Sequence, residues 1–258
     1  MKEYDIAQIA KDVRITIGQN MVTDALSGVS DVGTLSLEEI IRSKIEDAAK
    51  FIHMEAGHDL LDGKTLTTKC YDDWDADEKI AVRLKVDKNS NGTFTCLRLP
   101  DDFLRLVSYD ETDWYHPVTV AIDNLNPLYA IQRSKYESLR GTPEHPVVAI
   151  VHKMGRLYLE AYSNTESGKN ETGTNTFTDD TSFNWYCSYI PEPKIVNDKI
   201  SLCPKLYHAV LYATAYLTEL AHGAYNQAMT KLAVAKELAH ISSAPTQQVV
   251  QQDNNADQ

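Results

Sequence analysis

Ile80-Ala81-Val82-Arg83-Leu84-Lys85-Val86, then Asp87-Lys88-Asn89-Ser90-Asn91-Gly92, then Thr93-Phe94-Thr95-Cys96-Leu97-Arg98 is the stretch that decides the fold. Ile80, Val82, Leu84 and Val86 alternate with Ala81, Arg83 and Lys85, the period of a half-buried strand. Phe94, Cys96 and Arg98 continue the alternation on the far side of Asn91-Gly92. Asn-Gly is a strong hairpin signal because both residues tolerate positive φ. Asp87-x-Asn89-x-Asn91-Gly92 also matches the opening of an EF-hand loop. The twelfth position is Arg98, where a calcium loop needs a bidentate Glu, and the flanks read as strands, so a hairpin is the expectation.

From this hairpin the period of two extends over about 65–193. Further strands are expected at Phe103–Tyr109, Val118–Ile122, Val147–His152, Arg156–Tyr162 and Phe183–Ile190, with Pro100, Pro117, Pro146, Pro191 and Pro193 as punctuation. Residues 163–181 are almost wholly polar and read as a long loop.

Upstream, the period changes to that of a helix. Ile6, Ile9, Val13 and Ile17 predict a helix over about 3–18. Ser36-Leu37-Glu38-Glu39 is a capping box, with Ile40, Ile41, Ile45, Ala48, Ala49 and Ile52 forming one apolar face behind it. Downstream, Pro204 opens a helical region carrying Leu206, Val210, Leu217, Leu220 and Leu232, with nine alanines between Ala209 and Ala239. Gly223 either splits that region into two helices or weakens one. The helical stretches have no core of their own unless they pack on each other. The expectation is therefore an α+β fold: a helical bundle from residues 1–62 and 203–241, an inserted antiparallel β-rich domain over 63–202, and a flexible Gln/Asn-rich tail at 242–258.

The 258 residues suit one large domain or two small ones, and 43% hydrophobic content is enough for a packed core. Twenty-five Lys and Arg against 37 Asp and Glu give a formal charge of −12. Such a surface does not collect phosphates, which argues against a general nucleic-acid binder, though it would let DNA slide past without sticking. Cys70, Cys96, Cys187 and Cys203 form no CxxC pair and read as thiols in a reducing compartment, with neither a disulfide framework nor a zinc site. Met1-Lys2-Glu3-Tyr4-Asp5 opens no apolar run, and no stretch reaches the about 18 apolar residues of a membrane span, so a soluble chain made in the cytosol is expected.

Few residues suggest chemistry. Asp72, Asp73, Asp75 and Asp77 surround Trp74, and this cluster reads as a solvated loop or as a rim facing a lumen or a basic partner. Glu55-x-x-His58 matches one half of a di-iron motif without a second copy, and the plainer reading is a helix C-terminus where His opposes the dipole. No GxSxG, Walker loop, GxGxxG or kinase signature occurs. No catalytic, cofactor-binding or metal residues are assigned, and no enzyme or cofactor is expected. Two other classes stay open: a ligand- or carbohydrate-binding module stacking on Trp74, Trp114 and Trp185, and an enzyme whose site leaves no motif.

One resemblance bears on function. Leu97-Arg98-Leu99-Pro100-Asp101-Asp102-Phe103-Leu104-Arg105-Leu106-Val107 is similar to the "LPxDFLRL" element of phage head-to-tail adaptor proteins, a family that includes tail tubular A-type proteins and ring proteins of crAss-like phages. Ile131-Gln132-Arg133-Ser134, Gly141-Thr142-Pro143-Glu144-His145-Pro146-Val147-Val148-Ala149 and Gly155-Arg156-Leu157-Tyr158-Leu159 follow, resembling that family's "Q…GxPxxYxxxxxxLxL" run. Tyr189-Ile190-Pro191-Glu192-Pro193 and the helix from Pro204 resemble its closing strand and return helix. The resemblance spans roughly 36–240, and the long 163–181 loop departs from it. It implies a non-enzymatic virion protein at the head–tail junction, made in the host cytoplasm. The chain would form a homo-oligomeric ring, commonly twelve-fold, beneath the portal protein and against neighbouring tail or ring proteins. DNA would pass through the lumen without sequence-specific binding, and no membrane would be involved. By the same analogy the portal-docking segment falls in the tail, at Gln247, Gln248, Val249, Val250 and Gln251.

Overall fold

The computed structural model describes residues 1–18, 36–67, 81–85, 93–134, 136–153, 155–163 and 184–242. These form two compact units: one from Met1–Asp62 with the chain from Pro193 onward, the other from Gly63–Glu192.

The first unit is built on helices from both ends of the chain. Its first strand, β1 (Lys2–Asp5), runs into helix α1 (Ile6–Thr16), where the Asp5 carboxylate accepts the Ala7 N–H at 2.8 Å. The helix expected from residue 3 thus starts at Ile6. Residues 2–5 are extended instead because they pair with a strand near residue 200. Helix α2 (Leu37–Glu55) opens with the complete capping box: the Ser36 hydroxyl accepts the Glu39 N–H, and the Glu39 carboxylate accepts the Ser36 N–H at 2.8 Å. Ile41, Ile45, Ala48, Ala49 and Ile52 face inward, as do Ile6, Ile9, Ala10 and Val13 of α1.

The return path begins earlier than the sequence suggested. Strand β10 (Ile195–Val196) and strand β11 (Lys199–Leu202) form a hairpin whose turn residues, Asn197 and Asp198, take φ of 51° and 57°. Two central residues with positive φ make a type I′ turn, and Asn and Asp suit it. Strand β11 then pairs antiparallel with β1, Lys2 opposite Leu202. Residues 193–202, expected in the β insertion, therefore belong to the terminal unit. A one-turn helix at Pro204–Leu206 leads into α4 (Tyr207–Ala221), and α5 (Tyr225–Ser242) folds back along α4. Gly223 divides them at φ +78°. The alanines serve this packing, with Ala209, Ala213 and Ala215 of α4 and Ala228, Ala235 and Ala239 of α5 all buried. The Tyr4 and Tyr207 rings stack at 4.4 Å, and the Tyr207 hydroxyl donates to Asp12 at 2.6 Å, fixing α4 against β1 and α1.

The second unit contains two sheets. Strands β2 (Lys64–Thr67), β5 (Phe103–Glu111) and β9 (Trp185–Pro191) form one, in the order β2-β9-β5. Strands β3 (Ala81–Lys85), β4 (Thr93–Arg98), β6 (Ile122–Asp123), β7 (Val147–Lys153) and β8 (Arg156–Tyr162) form the other, in the order β3-β4-β8-β7-β6. The quoted hairpin is present as an antiparallel pair from Ala81 opposite Leu97 to Lys85 opposite Thr93, and its connecting residues 86–92 lie outside the described set. The strand expected at Val118–Ile122 is a lone bridge between Tyr109 and Val118, followed by two residues of β6. Strand β6 runs parallel to β7, so the inserted unit is antiparallel except at that edge. Leu66, Phe103, Leu106, Tyr109 and Trp185 from the first sheet share one apolar core with Leu97, Val148, Leu159 and Ala161 from the second.

Among the described residues no helix is long and apolar enough to cross a membrane. Gly223 has open space around its Cβ position, so substitution there costs backbone strain alone. Gly223→Ala is expected to lower the stability of the helical unit by about 1 kcal/mol in urea unfolding, with the α4–α5 reversal retained.

Candidate interaction surface

Alternation along β4, β7 and β8 gives the five-stranded sheet two different faces. Leu97, Val148, Leu159 and Ala161 enter the core shared with the other sheet. Phe94, Cys96, Ala149, Val151 and Tyr162 line the opposite face. Glu160 lies between Leu159 and Ala161 and so points to that second face, where it is wholly buried.

A buried carboxylate is costly unless it is paired and hydrogen-bonded. Glu160 receives four donor groups. Tyr162 Oη donates to Oε2 at 2.6 Å and Tyr129 Oη donates to Oε2 at 2.9 Å. Arg133 Nη2 donates at 3.0 Å to Oε1, and Lys153 Nζ also donates to Oε1. Burial pushes the Glu160 carboxyl up, but the hydrogen bonds from Lys153 and Tyr162 and the charges of Arg133 and Lys153 outweigh it, leaving the group below the ordinary carboxylate range. Burial and the Glu160 charge together raise the Tyr162 phenol well above its usual value. Burial pushes the Cys96 thiol up to about 11, so at neutral pH it is protonated and no nucleophile. The cluster therefore holds a fixed carboxylate in place and offers no acid or base poised near neutrality.

What it holds is a short helix. Asp123 Oδ1 accepts the N–H groups of Leu125 and Asn126 at 2.9 and 2.8 Å. Asn126 then caps α3 (Pro127–Gln132) by accepting the Leu128 N–H at 3.0 Å, with Pro127 in the first turn. Tyr129 and Arg133, four residues apart, both reach Glu160, and the Arg133 guanidinium lies 5.7 Å from the Phe94 ring centre and 5.3 Å from that of Tyr129. Gln132 is buried and its side-chain oxygen accepts the Gly141 N–H at 2.7 Å.

The other side of α3 has no such attachment. Leu125, Leu128 and Ile131 recur at intervals of three and are 86%, 50% and 38% exposed. Tyr115, Val120, Tyr136 and Leu139 in the same β5-to-β7 connection are exposed as well. Half of the exposed large apolar side chains among the described residues thus fall within 115–139. Scattered exposed leucines need no explanation, but a concentration of this kind marks a contact surface.

Residues in the stretches that carry the family resemblance make structural contacts, at Gln132, Gly141 and Asp102. Gln132 bonds to Gly141, and a Cβ on Gly141 would stand 2.3 Å from the Tyr162 carbonyl oxygen, so only glycine fits that approach. Asp102 accepts Lys64 Nζ at 2.5 Å and the Tyr189 hydroxyl at 2.9 Å, while its carbonyl accepts the Glu192 N–H at 2.7 Å. The Pro100–Phe103 turn thereby ties β5 to β2 and to the end of β9.

Other expected site residues behave differently. Trp114 and Trp185 are 8% and 1% exposed within the shared core, so they cannot be stacking platforms. Core aromatics and ligand platforms look alike in a sequence, and burial separates them. Trp74, the cluster Asp72, Asp73, Asp75 and Asp77, and the segment Gln247, Gln248, Val249, Val250 and Gln251 lie outside the described residues. Glu55 lies 3.3 Å from Lys236 and 3.7 Å from His240, an ion-pair arrangement between α2 and α5. Among the described residues no group of three His, Cys, Asp or Glu side chains is arranged to hold a metal.

Helix α3 and Glu160 were missed by sequence reading. Asn126-Pro127 is a helix start, and Leu125, Leu128 and Ile131 have a helical interval, but six residues are too few to show a period. Comparison of the chain with known protein families and with curated proteins finds no match.

Replacing Glu160 by Gln removes the negative charge and turns one of its two accepting oxygens into a donor, so two phenols and two cations are left with one neutral acceptor oxygen. Arg133 and Lys153 are 44% and 39% exposed and can turn to water, which places the expected loss near the low end for a broken buried pair, about 2–3 kcal/mol. The folded-state carboxyl is depressed, so its contribution is complete above the unfolded value of about 4.3 and is lost as pH falls through the lower folded value. Urea unfolding of the wild type should therefore weaken below about pH 4, and Glu160→Gln should flatten that decline. Gly141→Ala should cost more than Gly223→Ala in the same assay, because backbone at 2.3 Å must move.

Proposed function

We propose that this chain is a structural subunit of a head-to-tail connector ring in a short-tailed phage, seated beneath the portal and joining the filled head to the tail. The observation that carries this reading is the concentration of exposed apolar side chains within 115–139, among them Leu128 and Ile131 on α3, the helix that Glu160 holds through Tyr129 and Arg133. Such a surface needs a protein partner. The stretches resembling head-to-tail adaptors supply the kind of partner, and two of them position this surface: Gln132 lies on α3, and Gly141 receives it.

The physics of a ring suits the arrangement. Heterologous contacts close only when each subunit is rotated by the same angle from the last, which requires rigid units. A formal charge of −12 disfavours lasting contact with DNA phosphates, as passage through a lumen requires. In this reading Asp72, Asp73, Asp75 and Asp77 face the lumen or a partner rim. Gln247, Gln248, Val249, Val250 and Gln251 dock on the portal. The protein works without cofactor or catalysis, and its place is the virion. The alternative of a ligand- or carbohydrate-binding module loses two of its three stacking platforms, since Trp114 and Trp185 are in the core, and Trp74 lies outside the described residues.

Mixing the purified chain with the portal protein of the same phage, followed by native mass spectrometry and electron microscopy, tests the reading. A ring of this chain stacked on the portal is expected, and truncation after Ser242 should weaken the stacking. A chain that never binds the portal is not a connector.

A further inference from the structure

We infer that the hairpin end of β7 and β8 binds a short acidic segment of a partner protein, with Arg156, Lys153 and Tyr158 receiving its carboxylates. The inference goes beyond the connector reading and does not rest on it. Alternation assigns the residues to one face of the five-stranded sheet. Cys96 of β4, Val151 of β7 and Tyr162 of β8 line the face that Glu160 shares. Continuing the alternation, the same face carries Arg98 on β4, Lys153 on β7, and Tyr158 and Arg156 on β8. Register makes these four neighbours: Arg98 stands opposite Tyr158, and Lys153 opposite Arg156. Adjacent strands lie about 4.8 Å apart and residues of one face recur about every 6.8 Å along a strand, so the side chains rise from one compact area. Arg133 adjoins it, because its guanidinium and the Lys153 ammonium share Oε1 of Glu160.

The charges of this area do not balance. Arg98, Arg133, Lys153 and Arg156 contribute four positive charges against two negative ones, on Asp101 and Glu160. This excess stands on a chain with a formal charge of −12. Lys153 faces Arg156 directly across the ladder, where like charges destabilise a sheet and an acid would stabilise it. Asp101 lies 3.7 Å from Arg98, and Glu160 serves both Arg133 and Lys153. Among the described residues Arg156 has no ionic partner and the Tyr158 hydroxyl has no acceptor. A local rule broken with no gain to the fold marks a functional position.

The open setting selects the anion. Arg156 is exposed and one exposed ion pair is worth little, so a lone small anion would not be held and several pairs must form at once. Nucleic acid offers several, but it carries a charge about every 1.7 Å, and every phosphate outside this area meets the acidic remainder of the chain. An acidic protein segment brings a few carboxylates and no more. In an extended segment alternate side chains repeat about every 6.8 Å, the same interval that separates Tyr158 from Arg156 on their face. The planar fork of arginine takes a carboxylate through two parallel hydrogen bonds, and Tyr158 adds a neutral donor beside it.

Fluorescence anisotropy of the full chain against labelled probes at low salt tests this. The probe is a short peptide with Asp at every second position and Ser and Thr between. One control carries Asn for Asp, and the other is a DNA duplex. The Asp peptide should bind, the Asn peptide should bind at least about tenfold more weakly, and added salt should weaken the Asp peptide. Arg156→Glu should reduce its binding by about tenfold or more, and Arg156→Gln by less. Lys11→Glu makes the same change of net charge at an exposed position of α1 and should leave binding within about twofold. Because Arg156→Glu removes the like-charge pair, its thermal midpoint should equal or exceed that of the wild type. The inference is overturned if the Asp peptide does not bind, if the Asn peptide binds as well, or if Lys11→Glu loses as much as Arg156→Glu. A lower thermal midpoint for Arg156→Glu gives that residue a role in the fold and overturns it too. A duplex that binds more tightly than the Asp peptide, and loses binding in Arg156→Glu, makes the occupant a nucleic acid and sinks the inference. The connector reading is untouched by any of these results.

Discussion

A full negative charge sits under the surface of the β-rich unit with no exposure to water, and the surroundings of that charge determine what the unit presents outward. Glu160 could not remain there without Tyr129, Arg133, Lys153 and Tyr162. Two of these four come from α3 and its C-cap. Meeting the needs of the carboxylate is therefore the same act as seating the helix. Because the inner side of α3 is committed to polar contacts, its apolar residues are left on the outside. An apolar anchor would have buried Leu128 and Ile131 and turned Tyr129 and Arg133 to water. The polar anchor reverses the usual orientation of a surface helix, at the desolvation cost of a buried ion cluster.

The helical unit answers a different constraint, that its two halves are separated by the whole β excursion. Apolar stripes on α1 and α2 meet α4, and the small side chains of α4 and α5 let those two helices run close together. Strand pairing between β1 and β11 adds a fixed register, Lys2 opposite Leu202, which sets where the returning chain enters. The stacked Tyr4 and Tyr207 rings and the hydrogen bond from Tyr207 to Asp12 tie the start of α4 to β1 and α1. A packing angle alone could drift, but a strand register moves only in whole residues.

Two of the stretches that resemble the adaptor family are used to lock a turn or fix a strand end. Asp102 joins three strands through its carboxylate and carbonyl, and Gly141 admits a backbone contact that no other residue allows. Residues used in this way fix the local backbone by contacts that a substitution would break. The buried, protonated thiols of Cys96 and Cys187, pushed up to about 11 and about 12 by burial, fit the same inert interior.

The kinds of element and their order were legible from residue spacing alone. The capping box at Ser36, the alternation around residues 80–98 and the small-residue run after Pro204 are local patterns, fixed by side-chain spacing along a single helix or strand. The partner choices were not legible, because pairing depends on residues far apart in the chain. Residues 3–5 read as the start of a helix and 199–202 as part of the insertion, yet they pair with each other as strands. Glu160 occupied an ordinary polar position in an alternating strand, and only the fold of α3 over that face made it a buried anchor. The tertiary structure likewise decided that Trp114 and Trp185 are core and that Leu125, Leu128 and Ile131 are surface. Burial is a property of what packs against a residue, and a spacing rule cannot supply the neighbour.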